Sequence, residues 1–211
     1  MVAISTTANA AQPARKPLRK LPAATKPITW KDFQSRYLRR EDGYKYEWVK
    51  GMVEKTPRSM NQDQYFIWRN LAQFLRKLAA QSGDDLGEFL AEADTFFLND
   101  THRRPDIAWF SADQLAVMAY GQNQVPRFVI EVISTSDGAY RVMRKMRDYR
   151  TSDQVPVVWQ IFPELLEVHV YRGGQMTICQ GDDLCSAAPA LPDFVLSATE
   201  VFRKPPRPEG L

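Results

Sequence analysis

The sequence predicts a mixed α+β domain, a central mixed β-sheet flanked by helices, and three observations carry that expectation. From Gln62 to about Ala80 the apolar residues Phe66, Ile67, Leu71, Phe74 and Leu78 recur with a period near 3.6, the mark of an amphipathic helix. The stretch Arg127–Ser134 holds Phe-Val-Ile-Glu-Val-Ile, a buried-strand pattern, with a helix expected over Gly138–Arg150 and another strand over Pro156–Ile161. Two glycine-turned hairpins complete the set: Tyr44–Val49 with Met52–Lys55 around Lys50-Gly51, and Leu166–Tyr171 with Gln175–Cys179 around Arg172-Gly173-Gly174. Helices and strands interleaved in this order pack as a sheet covered by helices.

The remaining elements follow in chain order. Residues 1–28 form a basic leader rich in Pro and Ala, without hydrophobic periodicity, and read as a disordered tail. Lacking acids, it also has the superficial composition of a transit peptide. The ordered domain is expected over residues 29–202, with a short tail over 203–211. Thr29 and Asp32 suit a capped helix start ahead of Trp30, Phe33, Tyr37 and Leu38. Phe89–Phe97 reads as one strand, His102–Pro105 as a loop, Asp106–Phe110 as a short strand and Ser111–Met118 as a helical turn. Ser197 and Glu200 mark a last capped helix. No internal repeat is visible.

Composition narrows the function classes. No apolar run reaches the roughly 20 residues of a membrane span, and the 44% hydrophobic, 25% charged balance is that of a globular protein. Cys179 and Cys185, in a late region that reads as loop, match no zinc spacing and make no disulfide framework, which favours a reducing cytoplasm. With only His102 and His169, a multi-histidine metal site is excluded. The +3 net charge comes from the ends: residues 29–202 hold 20 cations and 24 acids. A phosphate-binding fold usually shows its basic patch on the fold itself, so charge alone weakens a nucleic-acid reading.

Four side chains stand out. Glu131 interrupts an apolar strand and shares a face with Val129 and Ile133. A carboxylate buried there needs a cation as partner, either a basic side chain or a metal. Asp106 enters the preceding strand behind Pro105; alone it would cap that strand or pair with Arg104, but it stands 25 residues before Glu131. Two carboxylates converging from neighbouring strands repel and call for a cation between them, and all-oxygen ligands favour magnesium or manganese. Glu47 lies among large apolar neighbours in the first hairpin, where it could also face solvent. Lys145 shares a helix face with Arg141 and Tyr149, in a cationic stretch that adds Arg144, Arg147 and Arg150 and could meet a phosphate backbone.

Read in order, Tyr46-Glu47-Trp48-Val49-Lys50-Gly51, Arg104-Pro105-Asp106-Ile107, Ile130-Glu131-Val132-Ile133-Ser134 and Lys145 with Tyr149 resemble the Uma-two family of putative restriction endonucleases, in the PD-(D/E)XK nuclease superfamily. The resemblance spans roughly residues 29–202 and implies a restriction-endonuclease-like core and magnesium-dependent hydrolysis of DNA, with manganese as substitute. By position it makes Asp106 and Glu131 metal ligands, the backbone carbonyl of Val132 a third, Glu47 a further acid and Lys145 the transition-state ammonium. The superfamily lysine normally stands two residues after the Glu, where this chain has Ile133. Other departures are Arg141 for an Asp, Met52 for a Glu with Glu54 nearby, Asn61 or Gln62 for a His, Thr135 for a Pro and Phe162 for an Asp. A homodimer is expected by analogy, since two strands require two cuts. The alternative is a catalytically inactive module that keeps the nuclease fold.

Overall fold

The computed structural model describes residues 26–57, 62–135 and 137–206. Its elements are helix α1 (Trp30–Phe33), strands β1 (Tyr44–Val49) and β2 (Met52–Pro57), helix α2 (Gln62–Ser82), strands β3 (Glu88–Ala91), β4 (Thr95–Leu98), β5 (Thr101–Arg103) and β6 (Ile107–Phe110), and helix α3 (Ala112–Met118). Strand β7 (Phe128–Val132), helix α4 (Ala139–Thr151), strands β8 (Val157–Phe162), β9 (Glu167–Arg172), β10 (Gln175–Gln180), β11 (Leu184–Ser186) and β12 (Val195–Ser197), and helix α5 (Ala198–Val201) follow. No helix among the described residues is long and apolar enough to cross a membrane.

The fold is mixed α+β as expected, with its strands divided between sheets. Six strands in the order β10-β9-β8-β7-β6-β3 form the larger sheet. Within it β7 and β8 are parallel, and α4 is the crossover that a parallel pair requires. Strands β2-β1-β5-β4 form a second, antiparallel sheet. The hairpin β1–β2 turns at Lys50 and Gly51, both at positive φ (49° and 80°), the backbone of a tight two-residue turn that a Gly makes easy.

All five β7 residues are buried, and their alternation assigns two cores. Phe128, Ile130 and Val132 join Ile67, Leu71 and Leu75 of α2 in one cluster that also takes in Phe89, Trp159 and Phe194. Val129 faces α4 and packs with Met146 and Tyr149. By the same alternation Glu131 points to the α4 side. The order of the chain thus aims one acid at one helix before any contact is considered.

Two expectations need correction. The strand expected over Phe89–Phe97 is two strands in different sheets, β3 against β6 and β4 against β5, broken at 92–94 where Glu92 takes φ 49°. The expected loop over His102–Pro105 contains most of β5, which pairs Trp48 with His102 and Val49 with Thr101. Thr-His-Arg has no apolar alternation, and partners from elsewhere in the chain make it a strand. The irregular residues are 104–106, where the chain leaves one sheet and enters the other. Cys185 likewise lies on β11 where loop was expected, while Cys179 lies on β10, the second strand of the expected hairpin; both are buried and free. The other expected helices and strands are present with ends shifted by a few residues, Ser111–Met118 as a helix with a full capping box from Ser111 and Gln114.

The approach to β3 tests the packing. Gly87 has φ +76°, and a Cβ there would lie 2.0 Å from the carbonyl oxygen of Phe110 at the end of β6. Gly87→Ala must move backbone as well as strain it, so unfolding in urea should show a loss of about 2–4 kcal/mol with unchanged m. A variant within a few tenths of wild type would refute this close approach.

Candidate active site

The register of β6 and β7 puts Ile107 opposite Ile130, so one step further Asp106 comes level with Glu131. Asp106 sits at the mouth of the crossing between the sheets, its side chain 20% exposed. Across it runs β1 of the smaller sheet, which turns Lys45 and Glu47 to the same side two residues apart. From the third direction α4 brings Lys145 and Tyr149, spaced one turn apart, onto Glu131. Asp106, Glu131, Val132, Lys145 and Lys45 all line one cleft of about 230 Å3.

Both carboxylate oxygens of Asp106, of Glu131 and of Glu47 have a donor. Asp106 accepts from Lys45 Nζ at 2.7 Å through Oδ1 and from the Val132 N–H at 3.0 Å through Oδ2. Lys145 Nζ donates to both oxygens of Glu131 at 2.8 Å, and the Tyr149 hydroxyl donates to Oε1 at 2.5 Å. Glu47 is 1% exposed beneath the cleft, 3.6 Å from Lys145, and accepts from Arg103 at 3.0 Å and from the Arg104 N–H at 2.8 Å. Arg103, wholly buried, also donates to Glu54 at 2.8 Å and to Asp148 at 2.6 Å.

The four expected side chains therefore meet around one cleft. Glu47 does not face solvent, and Arg104 pairs with Asp94, leaving Asp106 to Lys45. The cationic stretch on α4 is split: Arg141 pairs with Asp137, Arg144 with Glu54 at 2.8 Å, and Lys145 is inside. Reading the sequence missed Lys45, Arg103 and Asp148. The period of two from Glu47 points to Lys45, a signal present in the sequence; nothing local distinguishes Arg103 from its neighbour Arg104.

Burial and charge pull these acids apart. Burial pushes Glu131 above the usual carboxylate range, and the neighbouring charges of Asp106 and Glu47 add to it against the pull of Lys145. Burial would raise Asp106 too, but the ammonium groups of Lys45 and Lys145 and the Val132 N–H hold it below its ordinary value. For Glu47 burial is outweighed by Lys145, Arg103, Lys45 and the Arg104 N–H, and the pKa falls to about 2. Burial and the charges of Glu131 and Glu47 push the Tyr149 hydroxyl well up, so it stays a proton donor.

The donor set fits a hard divalent cation in kind. Two carboxylates enter one cleft, with no histidine or cysteine among the described residues that line it. Glu47 is answered by Arg103 and Lys145, which leaves Asp106 and Glu131 as the acids that line the cleft itself. Among the described residues no group of three or more His, Cys, Asp or Glu side chains could hold a metal ion, so a third ligand would have to be backbone or water.

The two kinds of carboxylate have opposite linkage. Glu47, depressed from 4.5 to about 2, stabilises the fold fully above pH 4.5 and loses that contribution as pH falls toward 2. Glu131, raised, opposes folding when ionised and is relieved by acid. Glu47→Gln should therefore cost roughly 3 kcal/mol at neutral pH and progressively less below pH 4.5. Denaturant melts of both proteins across that range check this; a loss independent of pH would contradict it.

A family model described as "Uma2: Putative restriction endonuclease" matches residues 30–199. No curated protein matches the chain. Among solved structures, one described as a putative nuclease belonging to DUF820 from Anabaena variabilis superposes with a TM-score of 0.64 at 20% identity, covering 83% of this chain and 98% of that one. At that identity the likeness establishes a shared fold.

Proposed function

The chain belongs to the Uma2 family, and from that premise we propose that it is a magnesium-dependent endonuclease that hydrolyses phosphodiester bonds in DNA. One observation carries the reading: Asp106, Glu131 and Lys145, from two strands and a helix, converge on a single cleft. Asp106 and Glu131 would hold the metal, with Val132 offering its backbone carbonyl beside them. The bound ion supplies a polarised phosphate and a more acidic water. Manganese, with the same preference for oxygen, would substitute.

The protein's own groups have separable tasks. The Val132 N–H fixes the Asp106 carboxylate, and Tyr149 fixes Glu131; such outer contacts set the angle at which a ligand presents its oxygens. Lys145 lies between Glu131 and Glu47, where its charge would stabilise the negative charge that builds on a transferring phosphoryl group. Glu47 holds Lys145 from beneath and touches no solvent-facing part of the cleft.

The test is cleavage of plasmid DNA with magnesium or manganese. Asp106→Asn and Glu131→Gln should lower the rate by about 10^3 or more, and Lys145→Ala by about 10^2. No cleavage by folded wild type would favour the inactive module; cleavage equal in all four proteins would point to a contaminant or a different site.

For contact with the DNA backbone we propose the outer face of α4 beyond the cleft. Arg147 is 67% exposed and only 3.9 Å from Asp148, which Arg103 already occupies. Among the described residues Arg150 donates to the carbonyl of Gly173 at 3.4 Å. They share a groove with Tyr140 and Tyr171, and no acid lines it. Replacing Arg147 and Arg150 by Ala should weaken DNA binding at all sequences and reduce the salt slope by about 1 to 2. An unchanged slope would move the contact elsewhere. The leader, residues 1–25 of which lie outside the described residues, is a further candidate tether.

A further inference from the structure

Lys45 does not belong to the set that the family resemblance points to, yet it lies closest to Asp106. Its side chain stands on β1 in the middle of a sheet, 7% exposed, and reaches into the cleft to place Nζ 2.7 Å from Asp106 Oδ1. The other oxygen of Asp106 is held by the Val132 N–H. Oδ1 is thus the one oxygen of Asp106 without a backbone tie, and the Lys45 ammonium covers it. Lys145 is placed differently, on both oxygens of Glu131.

Resting on the metal-dependent reading above, the geometry points to Lys45 as an internal counter-ion that competes with the divalent cation for Asp106. Without metal, its single charge stabilises a carboxylate that would otherwise face Glu131 across the cleft. A divalent ion at Oδ1 meets a fixed like charge within a few ångströms, so the ammonium must leave Oδ1 for the ion to bind. Lys45 lines the cleft with Asp106, and a phosphate oxygen entering it would give the displaced ammonium a new partner. Metal and phosphodiester then bind cooperatively, each relieving the cost of the other.

Manganese binding to the full chain, followed by calorimetry, tests this. Lys45→Met and Lys45→Gln, folded by circular dichroism, should bind manganese about tenfold tighter than wild type, and Lys45→Arg should not. Should Lys45→Met fail to fold, Lys45→Gln keeps an N–H for Asp106 and Lys45→Arg keeps the charge, so the comparison stands. In wild type an uncleavable phosphorothioate duplex should tighten manganese binding severalfold, and that tightening should shrink in the neutral variants. A lysine with a purely structural role would leave both affinity and coupling unmoved. Wild-type binding with no gain in the variants overturns the competition alone; no manganese binding by any of the proteins overturns the metal site and the competition with it.

Discussion

Glu47, Asp106 and Glu131 are packed largely out of water within reach of one another, and the surrounding architecture answers that cost. An isolated buried carboxylate loses several kcal/mol of hydration, and neighbouring ones add repulsion. The compensation comes from both sheets and a helix: Lys45 from β1, Arg103 from β5, Lys145 and Tyr149 from α4. No single element supplies both an acid and all its partners. The charges are therefore matched only when the sheets and α4 are assembled, which ties the cleft's shape to the cooperativity of the whole domain.

The break at residues 104–106 is what allows this meeting. A continuous strand would have kept Arg103 and Asp106 in one sheet on opposite faces. Leaving β5 and entering β6 after an irregular step, the chain puts Arg103 under Glu47 and Asp106 level with Glu131. The parallel break at 92–94 keeps β3 and β4 in step with β6 and β5, and the Glu92 N–H reaches the carbonyl of Asp106 at 3.3 Å. Backbone that departs from regular pairing often serves to aim a side chain, and here it aims two.

What the sequence revealed follows from the range of the forces involved. Helix α2, the two hairpins and the capped helix at Ser197 depend on contacts a few residues apart, and their patterns are local. Glu131 was legible because it violates such a pattern: an acid in a strand that is otherwise apolar on both faces. Lys45 and Arg103 violate nothing. A lysine in an alternating hairpin and an arginine in a short polar segment are ordinary until partners from distant parts of the chain bury them. The divided strand over 88–98 was illegible for the same reason, since strand pairing, not the run of residues, decides where it breaks.

Charge counted along the chain does not say where the charges stand. The excess of acids in residues 29–202 argues against a nucleic-acid surface only if those acids are at the surface. Glu47, Glu131 and Asp148 are buried, and Glu54 is engaged by Arg103 and Arg144. Their fields are largely spent on inward-facing lysines and arginines, in a medium where opposite charges couple more strongly than in water. Arg150 stands outside that network, and Arg147 reaches only its edge, 3.9 Å from Asp148. Only three of the 24 acids are buried, however, and Lys45, Arg103 and Lys145 are buried with them, so the acid excess stays outside the core and the cationic stretch of α4 is a local feature within it.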